Sequence, residues 1–368
     1  MKINISGSKM SSIVEIGKTL KELSEKTGKP YLALNRGVNA VCNIDLYSSQ
    51  KYINFNSNEM QVYPPTKGRV ELLESLNKEY FDNESDTSNF CMTNGGMNSL
   101  NIIFSTLKVK GIVSSKFYWG SYKNICNAKN INFSTYDSFE DLLENTKKYK
   151  NKAVIICDPN NPIGNSYSDS KLLEVIEHLD SNGIVTIFDS PYRKLFTDDD
   201  HDFYKKLLKF DNLIISESFS KSLGLSGLRI GFIHSTNKDF NNEVMVRLHI
   251  DSNGVSTASQ LIVEKLISLP EGRKAIKEFK NTTRSGIRKN IEYLRENNLL
   301  SEKFYTESKP VGIFAIINRS YGELMDNRIG SVPLSFFTNS EVDDNLSRIC
   351  VSVDHEKFKE FFDNLLNS

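Results

Sequence analysis

Short runs of apolar residues closed by polar chemistry are the clearest pattern along the chain. They occur at Ala153–Cys157 (AVIIC), Ile184–Phe188 (IVTIF), Leu213–Ile215 (LII) and Ile230–Ile233 (IGFI). Runs of this length predict strands buried on both faces. Between the first two, Leu172, Leu173, Ile176 and Leu179 form an apolar stripe at helical spacing. Asp169 can cap the start of that helix and Gly183 stands just past its end. Strand, helix and strand within about 35 residues predict a βαβ unit and a mostly parallel sheet. Further helices are predicted over Gly68–Tyr80, where Val70, Leu72, Leu73 and Leu76 supply the apolar face, and over the charged stretch Pro270–Leu300. Beyond Leu300 the pattern changes to a small α+β unit, with strands at Ile313–Ile317 and Ile349–Val353 and a closing helix near His355–Leu366.

The residues just after each run carry the chemistry. AVIIC leads into Asp158-Pro159-Asn160-Asn161-Pro162-Ile163-Gly164, IVTIF into Asp189-Ser190-Pro191-Tyr192, and LII into Ser216-Glu217-Ser218-Phe219-Ser220-Lys221. In open α/β sheets the ligand crevice lies outside the carboxyl ends of the strands, so the three segments are expected to converge.

Composition narrows the class of partner. A chain of 368 residues, 39% of them hydrophobic, has room for one large α/β domain and a smaller one. Forty-six basic residues balance forty-six acidic ones, which leaves no net field to attract nucleic acid or an anionic membrane. The five cysteines are odd in number and widely spaced, so they read as reduced thiols rather than a disulfide framework or metal site. The opening MKINISGSKMSS has no apolar run of signal-peptide length, and no stretch reaches the ~18 apolar residues of a membrane span. A cytoplasmic protein is expected. There is no internal repeat, and no phosphate-binding P-loop or dinucleotide motif follows a strand.

The decisive segment is Ser218-Phe219-Ser220-Lys221-Ser222-Leu223-Gly224-Leu225-Ser226-Gly227-Leu228-Arg229-Ile230-Gly231. It resembles the lysine segment of the class I/II aminotransferases of the fold type I pyridoxal 5'-phosphate (PLP) superfamily, S-x-S-K followed by G-L-x-G-x-R-x-G. Five ordered blocks between about Tyr31 and Val353 share that likeness. The resemblance implies a large domain with a mostly parallel, seven-stranded-type sheet between helices, plus a smaller α+β domain. It places an N-terminal arm and part of the small domain in residues 1–47, the PLP-binding domain in 48–255 and the small domain in 256–368.

The same resemblance implies roles. Lys221 would hold PLP as a Schiff base, with Arg229, Ser218 and Ser220 on the phosphate, where a planar guanidinium and hydroxyls suit a dianion. Gly95, Gly96 and Met97, in Thr93-Asn94-Gly95-Gly96-Met97, would form a phosphate loop at a helix N-terminus. Asp189 would face the pyridine nitrogen, and Tyr192 and Asn161 the ring oxygen O3'. Trp119 is the candidate for stacking on the ring, with Tyr118 its competitor. Tyr63 would reach a neighbour's phosphate across a homodimer interface. Arg348, with Gly37 and Asn161, would bind the substrate, Arg348 on its α-carboxylate. Lys221, Asp189 and Tyr192 are thus the catalytic candidates, and no metal is expected.

Three departures stand out. Ser190-Pro191 replaces the family's Glu-x after Asp189, Asp158 replaces an asparagine, and Pro310-Val311-Gly312-Ile313-Phe314 is a reduced form of a glycine-rich segment. Transamination of an amino acid with a keto acid is the favoured reaction. Decarboxylation, elimination or cyclisation of an amino acid stays open, because one electron sink serves all of them. A sensor module fused to a DNA-binding domain is the non-enzymatic alternative. Balanced charge and the short stretch before Tyr31 argue against it.

Overall fold

The apolar runs become the centre of a seven-stranded sheet in the computed structural model, which describes residues 1–3, 5–197 and 201–368. The principal elements begin with α1 (Ser12–Thr27), β1 (Leu32–Ala33), α2 (Val70–Phe81), β2 (Phe90–Thr93), α3 (Gly96–Thr106), β3 (Ile112–Ser115), α4 (Ser121–Ala128) and β4 (Phe133–Tyr136). They continue with β5 (Ala153–Cys157), α5 (Asp169–Ser181), β6 (Val185–Asp189), β7 (Leu213–Ser218), β8 (Gly231–His234) and α6 (Pro270–Glu296). Last come β9 (Phe314–Ile317), β10 (Ile329–Gly330), β11 (Val332–Pro333), β12 (Ser347–Cys350) and α7 (His355–Leu366).

The large sheet runs in the order β2-β8-β7-β6-β5-β3-β4. Every neighbouring pair is parallel except the two made by β8. Helices cover both faces, which is why the strands are apolar on both sides. Val154 and Ile156 pack into one core with the α5 stripe, whereas Ala153 and Ile155 pack into another with α3 and α4. Leu172, Val175, Ile176 and Leu179 of α5 are all buried, each contributing about 1.5–3 kcal/mol of apolar transfer.

A third core unites the two ends of the chain. Ile16 and Leu20 of α1 join α6, β9, β12 and α7, while β1 pairs in parallel with β10. The three-stranded sheet β9-β12-β11 is antiparallel. Ile163 and Tyr192, from loops at the carboxyl edge of the large sheet, belong to this same core. The edge where the apolar runs end therefore faces the terminal core, and the site lies between them.

Several boundaries differ from the sequence expectation. β6 starts and ends one residue later than IVTIF, and β7 extends to Ser218, because the ladder pairs Cys157 with Asp189 and Ser218 with Gly231. Backbone pairing holds polar residues that hydropathy does not register as strand. β12 is Ser347–Cys350 rather than Ile349–Val353, with Arg348 opposite Ile316. The cap of α5 is Ser168, whose hydroxyl accepts from the Lys171 N–H at 3.2 Å; Asp169 is the first helical residue. α6 stops at Glu296, and Asn298 then turns with φ 55°. Among the described residues, no helix is long and apolar enough to cross a membrane.

Candidate active site

Strand register assembles the site. At the carboxyl edge Cys157, Asp189 and Ser216 lie side by side on β5, β6 and β7. One strand further, Gly231 of β8 sits between Ser218 on β7 and Thr93 on β2. A side chain at 231 would drive its Cβ into the Glu217 carbonyl oxygen, so this glycine lets the 93–97 turn approach Ser218. Gly95 has φ 88° and opens α3, and a Cβ there would come within 3.1 Å of the Arg229 guanidinium. Arg229 itself takes the left-handed conformation (φ 50°), a strain of about 1–2 kcal/mol. That conformation lets its guanidinium donate to the Ser226 carbonyl at 2.8 Å and the Asn94 carbonyl at 3.5 Å.

These segments enclose a cavity of about 440 Å³. Lys221, Asp189, Tyr192, Asn161, Arg229 and Arg348 all line it, as do Gly37, Gly96, Met97, Trp119, Ser218 and Ser220. Gly95 lies behind the Arg229 guanidinium rather than on the cavity wall. Tyr63 is 83% exposed and outside the cavity. Of the two aromatic candidates Trp119 faces the cavity, whereas the Tyr118 hydroxyl points away to Asn339 at 3.1 Å.

Burial sets the charge states. The Lys221 amine loses proton affinity, first because it is buried and then because Arg229 and Arg348 are near. Its Nζ donates to the Gly37 carbonyl. Asp189 is buried on the floor, and desolvation pushes its carboxyl up to about 6 even though the Tyr122 hydroxyl donates to it at 2.5 Å. Tyr192 is pushed well up by burial and receives a 3.4 Å hydrogen bond from the Asn161 amide. Arg348 is 1% exposed, and burial lowers it to about 10. Its guanidinium stacks 4.2 Å from the Phe314 centroid and donates to the Asn35 carbonyl, and it has no ion pair among the described residues.

Among the described residues, two buried polar atoms in this wall have no partner, Asn161 Oδ1 and Arg348 Nε. Unpaired buried groups cost about 1–3 kcal/mol each and mark places where a ligand completes the bonding. Together with the glycine cradle beside Arg229 and a buried carboxylate on the floor, they fit a planar, phosphate-bearing cofactor with a carboxylate substrate beside it.

The departures seen in the sequence resolve differently. Asp158 turns away from the cavity, accepting from Ser166 Oγ at 2.7 Å and the Tyr167 N–H at 2.8 Å. Ser190 is buried against the Tyr204 hydroxyl at 3.1 Å. Both are supports, whereas Pro191 reaches the cavity. In the reduced glycine segment, the N–H groups of Val311 and Gly312 donate to the Gly164 carbonyl at 3.0 and 2.8 Å. That close approach brings Phe314 to the cavity, under Arg348 and edge-on to Tyr192. Sequence reasoning missed Tyr122, Cys157, Phe314 and Arg36, which also line the wall. Tyr122 falls only three residues after Trp119, yet nothing local signals its bond to Asp189.

The family model described as "Aminotransferase class I and II" matches residues 47–365. The chain belongs to this family. Its members are PLP-dependent. A histidinol-phosphate aminotransferase of Buchnera aphidicola (subsp. Cinara cedri) is 34% identical over 155 residues, 40% of this chain and 43% of that protein. One from Sulfurovum sp. is 29% identical over 191 residues, 50% of this chain and 51% of that protein. The chain thus matches about half the length of these curated relatives. In structure, an aspartate aminotransferase of Thermus thermophilus with maleate superposes with a TM-score of 0.83 at 16% identity, covering 100% of both chains. An archaeal alanine:glyoxylate aminotransferase gives 0.81 at 19% identity, covering 98% of this chain and 95% of the other. Aminotransferases with different named substrates share this fold, so the fold alone leaves the substrate open.

Proposed function

We propose that the protein is a PLP-dependent aminotransferase that exchanges the amino group of an amino acid with a keto acid, with Lys221 as the cofactor-bonded and catalytic amine. The observation that carries this is the meeting, in one cavity, of a buried amine of lowered proton affinity with a floor carboxylate and an arginine that has no ion pair among the described residues. When bound, PLP supplies an electron sink for charge that develops at the substrate Cα. Arg229, Ser218, Ser220 and the Gly95–Met97 turn would hold its phosphate, and Asp189 would keep its ring nitrogen protonated. Trp119 would cover the ring, while Tyr192 and Asn161 would hold its ring oxygen.

Arg348 would bind the substrate α-carboxylate, with Phe314 fixing the guanidinium plane. A transaminase keeps that group throughout, so a buried bidentate partner suits it. Once freed by substrate, the Lys221 amine would take the proton from Cα. Its lowered proton affinity supports that role, because a larger share is neutral at neutral pH. We further read the active form as a cytoplasmic homodimer. Exposed Phe55, Val62 and Tyr63 support a second copy there, and five unpaired cysteines suit a reducing compartment.

The test is a donor panel: purified holoenzyme with each amino acid and 2-oxoglutarate, followed by quantifying the new keto acid. Stoichiometric keto acid that vanishes in Lys221→Ala is expected. Release of carbon dioxide or ammonia, or a cyclised product, in place of a keto acid would move the protein to a decarboxylase, lyase or cyclase.

A further inference from the structure

The cavity carries more positive charge than the proposed chemistry uses. Among the described residues, Arg36, Lys221, Arg229 and Arg348 line it against one carboxylate, Asp189, although the whole chain is neutral. In an aminotransferase, Lys221 is bonded to the cofactor, Arg229 answers its phosphate, Asp189 its ring nitrogen and Arg348 one substrate carboxylate. Arg36 is left over. Among the described residues its guanidinium has no hydrogen-bond or ion-pair partner.

Arg36 is also held in place. It follows Asn35, whose carbonyl accepts from Arg348, and precedes Gly37, whose carbonyl accepts from Lys221. The backbone that carries it is therefore tied to both key side chains. On its other side is Gly17, in the middle of α1, where a Cβ would lie 3.2 Å from Arg36 Nε and 3.3 Å from Nη2. Gly17 is four residues beyond Ile13, which lines the cavity, and so faces the same way. A mid-helix glycine is unfavourable relative to alanine, and here it gives the guanidinium room to lie against the helix.

We propose that Arg36 is a specificity-determining residue that recognises a second anionic group, distal to the α-carboxylate, on the amino donor or its keto-acid partner. The substrate class is then an amino acid with a carboxylate or phosphate at its far end. This inference rests on the aminotransferase reading of the same cavity. Because Arg36 is at the exposed mouth, its contact is screened and worth less than that of buried Arg348. A loss of about 5- to 30-fold on removing it is the expected scale.

The experiment has a binding arm and a kinetic arm. In the first, holoenzyme is titrated calorimetrically with maleate, succinate and glutarate, each compared with propionate. Wild type should prefer a dicarboxylate, and Arg36→Gln should lose about 5- to 30-fold for it while propionate stays within twofold, with Arg36→Lys in between. In the second, kcat and KM are compared for glutamate against glutamine, aspartate against asparagine, and O-phosphoserine against serine. The Arg36→Gln effect should fall on KM for the charged member only; a response confined to O-phosphoserine or to the carboxylates identifies the distal group. Equal losses for charged and neutral members, or a wild type without preference in either arm, would overturn the proposal. If no donor is turned over but the dicarboxylate preference depends on Arg36, the aminotransferase reading fails and the anion site stands.

Discussion

Replacing Arg348 by methionine separates a binding role from a structural one, because the two give opposite signs in stability. Burial lowers the Arg348 guanidinium from its ordinary range to about 10. A fall of that size means the charged form is disfavoured in the fold by on the order of 3 kcal/mol. The unfolded chain binds this proton more tightly, so the penalty is present in full at every pH below about 10 and is relieved only above it. Stacking on Phe314 and Phe337 at 4.2 and 4.9 Å and the bond to Asn35 return part of it, about 1–2 kcal/mol. Methionine keeps the apolar contacts and discards the charge, so the cofactor-free variant should gain about 1–2 kcal/mol, or roughly 1–4 °C in Tm. Carboxylate binding should move the other way, weakening about 10- to 150-fold with the charge-assisted pair. Thermal melts of the cofactor-free proteins at pH 7.5 and calorimetry of the holoenzymes with propionate measure the two effects. A Tm several degrees lower with unchanged propionate affinity would refute the reasoning and make Arg348 a tie to Asn35.

Other outcomes are expected at the same site. Gly164→Ala would push a Cβ into the Phe314 carbonyl oxygen, so a loss of at least about 2 kcal/mol and a displaced Phe314 are expected in denaturant melts and crystallography. Asp189 keeps its proton in the cofactor-free fold up to about pH 6, against roughly 4 when unfolded, so its contribution to stability is lost as pH rises through that window. Cofactor-free Asp189→Asn should therefore match wild type near pH 4 and exceed it by up to about 3 kcal/mol at pH 7, read from urea melts. Tyr122→Phe removes the hydroxyl that favours ionised Asp189, so holoenzyme should release PLP at a higher pH than wild type when absorbance is followed through an acid titration.

Much of this architecture was legible because buried parallel strands announce themselves as unbroken apolar runs. AVIIC coincides with β5, and the βαβ unit around α5 follows from one stripe and one glycine. The ends were less legible, since Asp189 and Ser218 are held in strands by ladder bonds rather than by apolar character. For the site, the residues just beyond strand ends were visible as polar punctuation, and each of the three segments sends side chains into one cavity. Contacts across long sequence separations were not visible. Tyr122 meets Asp189 across 67 positions, and Arg348 meets Asn35 across 313. No local spacing encodes such pairs. The choice between Trp119 and Tyr118 likewise depended on the turn entering α4, which rotates one ring into the cavity and the other toward Asn339.

The central claim is that Lys221 is the amine to which the cofactor bonds, and chemical trapping tests it most directly. Holoenzyme is reduced with borohydride, digested and mapped by mass spectrometry for the pyridoxyl-phosphate adduct. The adduct is expected on the peptide containing Lys221, with none in Lys221→Ala even where that variant still holds PLP non-covalently. An adduct on a different lysine of the wild-type protein, or one that survives the substitution, would contradict it.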